Sequence, residues 1–326
     1  METEQAISEL RKDPEQERLL ASVNELLRGV EDKLESVAEE PRKPTVFFVG
    51  VPRSGSTLTS QVLSSSGAFG YISNFIARFW MAPKLGIVLQ QALKIIPGAV
   101  ESGYHSEYGV TQGWAEPHEF GYFWNRWFDV GVEVNKLTDE ELQRVDRAGL
   151  RRAVAAMEEA FGAPMLFKNE TWCSFQINFL ADLFPKSIFL VTEREPIFAA
   201  QSILMLRKKH LDSREQWLSM KPREYFELRH LPWWEQIGGQ LYYTNREIER
   251  ALEQVPPERI VRSNYLGFCQ APQRSVAKVL DAVEKLSGER PAVRGRIPSA
   301  FESADFQRVS DEEFRLLREG RKKYSG

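Results

Sequence analysis

Cysteine is nearly absent from this chain: the only two in 326 residues, Cys173 and Cys269, lie far apart and form no metal-ligand spacing. Histidine is almost as scarce. His105, His210 and His230 make no metal pattern with one another or with a cysteine, so neither a structural nor a catalytic metal is expected. Positive charge is not in excess either, with a net charge of −3 and a pI near 6.0. A nucleic-acid partner held by global basic charge is therefore not expected, although a local basic pocket is compatible with these numbers. No apolar run reaches the ~18 residues of a spanning helix. The nearest, Leu85 to Val100, is broken by Gln90, Gln91, Lys94 and Pro97. The acidic start Met1-Glu-Thr-Glu-Gln-Ala lacks the basic-then-apolar pattern of a signal peptide. Reduced cysteines and no transmembrane segment point to a cytoplasmic location. Internal repeats are lacking too.

What is present suits a folded enzyme-sized domain. Hydrophobic residues make up 42% of the chain, enough for a sizeable core, and the length allows one large or two small domains. From Thr45 onward, strand patterns alternate with helix patterns, the mark of an α/β domain with a mostly parallel sheet. Strands are expected at Val46–Val49, weakly near Phe69–Ile72, at Pro164–Lys168, at Ser187–Thr192 and at Arg259–Arg262. Helices are expected over Thr138–Phe161, opened by a capping box, and over Phe175–Phe184, Gln236–Leu252, Pro272–Leu286 and Ser310–Lys323. Residues 207–236 read as irregular. Before the domain, residues 1–43 form a helical leader whose stripe of Val23, Leu27, Val30, Leu34 and Val37 packs on the domain or pairs with a second subunit as a homodimer. Residues 73–135 read as an acceptor-side helical insertion, and 287–326 as a tail closing over the site.

The stretch that organises the chain is Thr45 to Ser60. Val46–Val49 is a short apolar run suited to a strand buried on both faces, Gly50 opens a turn, and Gly55-Ser56-Thr57 leads into a helix. Strand, glycine turn and helix start make a phosphate cradle: backbone N–H groups face the anion and the helix dipole favours its charge. The spacing follows G-x-x-x-x-G-K-[ST], with one telling absence. Ser56 stands where a nucleotide triphosphatase needs lysine, and the cation lies inside the loop at Arg53.

Pro52-Arg53-Ser54-Gly55-Ser56-Thr57 resembles the 5′-phosphosulfate loop of the sulfotransferases that use PAPS (3′-phosphoadenosine 5′-phosphosulfate). The resemblance covers roughly residues 44–300 and implies a P-loop-like three-layer α/β fold. It also implies transfer of a sulfuryl group from PAPS to a hydroxyl acceptor (a small alcohol, a glycan or a lipid-linked group) with release of PAP. In that reading Arg53, Ser54, Gly55, Ser56 and Thr57 hold the 5′-phosphate end, with Thr59 nearby and Arg53 toward the sulfate. Arg194, at a strand end, and Ser202, eight residues on, are similar to the family's 3′-phosphate pair; an arginine clasps phosphate bidentately and a serine adds one bond. Arg294 and Arg296 resemble a basic segment that closes over the 3′-phosphate. Glu116, His118 and Glu119 are the candidate bases, Glu116 and His118 slightly ahead, because sulfuryl transfer needs a group to take the hydroxyl proton. Lys168 is similar to a sheet-edge lysine that stabilises the departing phosphate, a surface lysine being the alternative. Aromatics from Trp114 to Trp127 read as core, and Tyr265 as packing. Two other readings stay open: a P-loop kinase or NTPase, and a non-catalytic nucleotide-binding scaffold.

Overall fold

Phe47 and Phe48 are completely buried, and they point in opposite directions from one strand. That alternation dictates the architecture, because a strand apolar on both faces has to be covered on both. The computed structural model describes residues 13–34, 38–95, 104, 106–107, 110–128 and 133–324. Its strands are β1 (Val46–Gly50), β2 (Gly70–Tyr71), β3 (Ser106–Glu107), β4 (Val110–Thr111), β5 (Met165–Phe167), β6 (Ile188–Glu193) and β7 (Ile260–Asn264). Five of them form one parallel sheet in the order β2-β5-β1-β6-β7, and β3 with β4 forms a separate antiparallel pair. The organising stretch thus lies at the centre of the sheet. Phe47 sits level with Phe167 on β5 and Phe189 on β6, and its ring stacks on both.

One face of the sheet packs Phe47 and Val49 against Phe123, Trp124 and Phe128 of the Gly121–Phe128 helix and Leu150 and Val154 of the Arg147–Phe161 helix. The other face packs Val46 and Phe48 against Val62 and Leu63 of the Ser56–Ser65 helix and Val276 and Leu280 of the Pro272–Ser287 helix. Burying each of these phenylalanines contributes about 2 to 3 kcal/mol. A third apolar cluster joins the Pro196–Leu211, Trp233–Leu252 and Asp311–Tyr324 helices beside the sheet's carboxyl edge. The aromatics Phe120, Phe123, Trp124 and Trp127 are core, as their spacing implies, whereas Trp114 is exposed.

Local expectations need correction in four places. The helix over 138–161 is two helices, Asp139–Gln143 with its Thr138–Glu141 capping box and Arg147–Phe161. Asp146 starts the second by accepting a bond from Gly149 N, which ends the first. The segment 207–236 is less irregular than its polarity suggests. Helix continues to Leu211, a turn of helix covers Tyr225–Leu228, and the next helix begins at Trp233. The leader is also broken: its helix spans Pro14–Leu26, Gly29 adopts a left-handed φ of 77°, and a single turn follows at Val30–Lys33. Leu27, Val30 and Leu34 are half-buried, but Val23 is exposed; the buried anchor is Asn24, which donates to Arg78 O and accepts from Met81 N. Finally, the apolar segment from Leu85 contributes a helix over Pro83–Ala92 only. Residues 1–12, Val37, residues 96–103, His105 and residues 129–132 belong to expectations that lie outside the described residues.

Candidate active site

The loop after β1 is shaped by two backbone constraints. Arg53 and Gly55 both take positive φ, 70° and 96°, so the chain doubles back before the helix starts. A Cβ on Gly50 would lie 2.6 Å from Thr192 O, and one on Gly55 would lie 2.5 Å from the Tyr265 ring. No other residue type fits either place without displacement. Ser54 is buried and its hydroxyl lies 2.7 Å from that of Thr192, which ties the loop to β6. Gly55 caps the Ser56–Ser65 helix with no side chain, and the first turn carries no acidic residue. The opening N–H groups therefore face a cavity without an internal acceptor, the arrangement that receives an anion.

That cavity measures about 620 Å³ and runs along the carboxyl edge of the sheet. Arg53, Gly55, Ser56 and Thr57 line it, together with Arg194 from the end of β6 and Ser202 from the helix that follows. The spacing of Arg194 and Ser202 thus brings them together, and Arg53 joins them by donating from Nε to Ser202 Oγ over 3.0 Å. The guanidinium of Arg53 lies toward Ser202, beside the position expected for a 3′-phosphate. The Arg194 side chain is 6% exposed and held from several sides. Its Nε bonds Asp305 Oδ1 at 2.7 Å, its other nitrogens reach Arg53 O and Ala304 O, and its plane sits 4.5 Å over the Tyr265 ring.

Across the cavity, Lys168 at the end of β5 is buried rather than on the surface. Its ammonium bonds the Glu119 carboxylate and lies 3.9 Å from Glu170. Desolvation works against the charged form of both, more directly for the buried Lys168 than for Glu119, whose side chain is half open, yet their mutual attraction prevails. Glu119 is held below the usual carboxylate range by the Lys168 ammonium, and Lys168 is held above the usual ammonium range by Glu119 and Glu170.

Residues 44–285 match the sequence model described as Sulfotransferase family. The chain belongs to the sulfotransferase family. No curated protein sequence matches the chain. Among solved structures it is similar to the sulfotransferase STF9 from Mycobacterium avium, at 14% identity and a TM-score of 0.52 over 89% of this chain and 71% of the other. It is also similar to STF1 from Mycobacterium tuberculosis H37Rv, at 13% identity and 0.45 over 92% and 76%, and to a sulfotransferase from Alicyclobacillus acidocaldarius, at 14% and 0.43 over 87% and 94%. The first of these likenesses supports the fold; family membership makes this a transferase that takes a sulfuryl donor and an acceptor.

The three base candidates of this sulfotransferase-family chain occupy different positions. Glu119 lines the cavity; Glu116 is buried behind it, where Gln61 Nε2 donates to its carboxylate over 2.9 Å. His118 is exposed, and its Nδ1 accepts a 2.8 Å bond from Phe120 N, which places the proton of a neutral ring on Nε2. Arg294 and Arg296 are not brought to the cavity. The backbone N–H groups of Arg294 and Gly295 bond Ser66 O, at the far end of the cradle helix, and the Arg294 side chain faces Gly67 and Phe69 there. Thr59 likewise turns away and bonds Gly55 O. The tail reaches the cavity later in the chain, through Phe301, Glu302, Ala304 and Arg308. Glu170 and Arg308 carried no sequence signal. Tyr265 had one, a tyrosine directly after a short strand, but only the fold turns it beneath Arg194.

Among the described residues no helix is long and apolar enough to cross a membrane, and no cluster of three or more His, Cys, Asp or Glu could hold a metal.

Proposed function

We propose that this chain transfers the sulfuryl group of PAPS to an acceptor hydroxyl and releases PAP. The observation that supports the reading is one cavity lined by an uncapped helix start, by Arg53, Arg194 and Ser202, and by the Lys168–Glu119 ion pair. The chain's residues suit that donor. Uncapped N–H groups of the Ser56–Ser65 helix take the 5′-phosphate, while Arg194, Ser202 and Arg53 take the 3′-phosphate. Tyr265, Phe301 and Leu58 supply apolar walls for the base.

In the transfer step the acceptor oxygen forms a bond to sulfur as the bond from sulfur to the 5′-phosphate oxygen breaks. The electron pair leaves on the phosphate, and the hydroxyl proton passes to a base. Glu119 is that base in our reading, because it faces the cavity as a carboxylate, whereas Gln61 holds Glu116 behind it and Phe120 N occupies the basic nitrogen of His118. Lys168 stabilises the charge that collects on the departing phosphate. Met205, Leu206, Leu218 and Met220 line the remaining wall, which favours an acceptor with an apolar body, such as an amphipathic or lipid-linked alcohol.

Calorimetric titration with PAP, and with ATP in the presence and absence of Mg²⁺, tests the donor. Metal-independent PAP binding that is lost on Arg194→Ala is the expected result. ATP binding that requires Mg²⁺, with PAP ignored, would replace this reading with a kinase.

A further inference from the structure

Lys168 sits between two carboxylates that differ in their surroundings. Glu119 belongs to the segment before the Gly121–Phe128 helix, and half of its side-chain surface is open to the cavity. Glu170 begins the short helix after β5, with only a tenth of its side chain exposed, and stays two residues from Lys168 whatever else moves. The Lys168 side chain is 6% exposed, so its ammonium has little room to travel. Arg53 lines the same cavity and is the second cation acting on Glu119 and Lys168.

This arrangement poses a problem for the proposed chemistry. A carboxylate bonded to an ammonium is a poor base, and an ammonium bonded to a carboxylate is a poor ligand for phosphate. A donor phosphate that reaches Lys168 within the cavity it shares with the cradle resolves both at once. We propose that Lys168 exchanges Glu119 for the donor's phosphate when the donor binds, and that Glu170 is the positioning residue that keeps the ammonium charged and in place during the exchange. The inference rests on the sulfotransferase reading above, and it deepens that reading: donor binding releases Glu119 to act on the acceptor. The site becomes competent only with the donor in place. Glu170 makes no contact with either substrate in this scheme; it acts through Lys168.

A double-mutant cycle on PAP affinity, measured by calorimetry on the full chain, tests the exchange. Glu119→Gln removes the competitor for Lys168 and is expected to tighten PAP about fivefold while turnover is lost. The same substitution in a Lys168→Met background is expected to leave PAP affinity unchanged; Lys168→Gln serves if the methionine variant does not fold. Glu170→Gln is expected to weaken PAP about threefold or more, again only when Lys168 is present, and to shift the acidic limb of the kcat/KM profile, which a packing role would not move. Unchanged PAP affinity on Glu119→Gln would overturn the inference. So would a tightening of equal size without Lys168, since that is a general charge effect. Failure of the wild-type chain to bind PAP would overturn the donor reading and the exchange together, and is distinguishable from the other outcomes because it appears before any substitution is made.

Discussion

Replacing Gly55 with alanine loads the cradle at its tightest point. Two costs combine there. The φ of 96° belongs to the left-handed side of the map, where a side chain costs about 1 to 2 kcal/mol. The new Cβ would also stand 2.5 Å from Cδ2 of Tyr265, and overpacking of that kind costs about 1 to 3 kcal/mol. The ring cannot simply step aside: its face carries the Arg194 guanidinium at 4.5 Å, and its hydroxyl accepts from Ala304 N at 3.2 Å. We therefore expect a loss of about 3 kcal/mol in urea denaturation, small enough to leave a domain of ordinary stability folded. Displacing Tyr265 also moves Arg194, so PAP affinity is expected to fall about tenfold or more. Gly288→Ala is the internal control. Its φ is 75°, but nothing lies within 4 Å of the added carbon, so it isolates the backbone cost of about 1 kcal/mol. Equal losses in the two variants, with PAP affinity unchanged in Gly55→Ala, would refute the close contact between cradle and ring.

Asp305→Asn removes the carboxylate from the buried Arg194 pair, which is expected to cost about 3 kcal/mol without donor and much less at saturating PAP, whose phosphate takes over. Melting temperatures with and without PAP check this, and an undiminished gap would remove Arg194 from the phosphate site. Arg207 is fully buried with Nε and Nη2 unpartnered, and burial depresses its pKa to about 10. Nη1 still donates to Arg214 O and Gln236 Oε1, so Arg207→Met is expected to cost about 1 to 3 kcal/mol in urea, the lost bonds outweighing the relief of a desolvated charge. Glu31 accepts bonds from Lys84 N, and burial pushes its carboxyl up from 4.5 to about 7 against the pull of Lys84 and Arg126. The folded state thus favours the protonated form. Docking of the leader is strongest below about pH 4.5, weakens as pH rises through 7, and loses about 2 kcal/mol after allowance for partial exposure. Amide exchange across Pro14–Leu26, corrected for intrinsic rates, should quicken accordingly between pH 5 and 8 and become insensitive in Glu31→Gln.

The cradle and the order of elements were legible in the chain itself because both are local. A β-branched and aromatic run followed by Gly50, Arg53 and Gly55 allows few backbone paths, and these are settled within a dozen residues. That Arg194 and Ser202 would line one cavity was legible for a similar reason, since a strand end and the second turn of the next helix keep a fixed separation. Element ends were less so. Asp146 ends one helix by capping another, and Asn24 docks the leader through polar bonds that a hydrophobic stripe does not reveal. The base candidates show the limit most clearly. Spacing put Glu116 and His118 only slightly ahead of Glu119, and the three part only when Gln61, Phe120 N and Lys168 meet them. The arginines of the tail behave the same way: Arg294 and Arg296 resemble a phosphate-closing segment, but Arg294 and Gly295 bond Ser66 O at the far end of the cradle helix, neither arginine lines the cavity, and Arg308 does. By itself, then, the sequence determined the mostly parallel sheet, the strand–turn–helix loop after its first strand and the family, because short-range sterics and patterning govern these. Only the tertiary structure decided which carboxylate meets Lys168, what lies beneath Arg194 and which part of the tail reaches the site, because those choices depend on contacts between residues 49 to 141 positions apart.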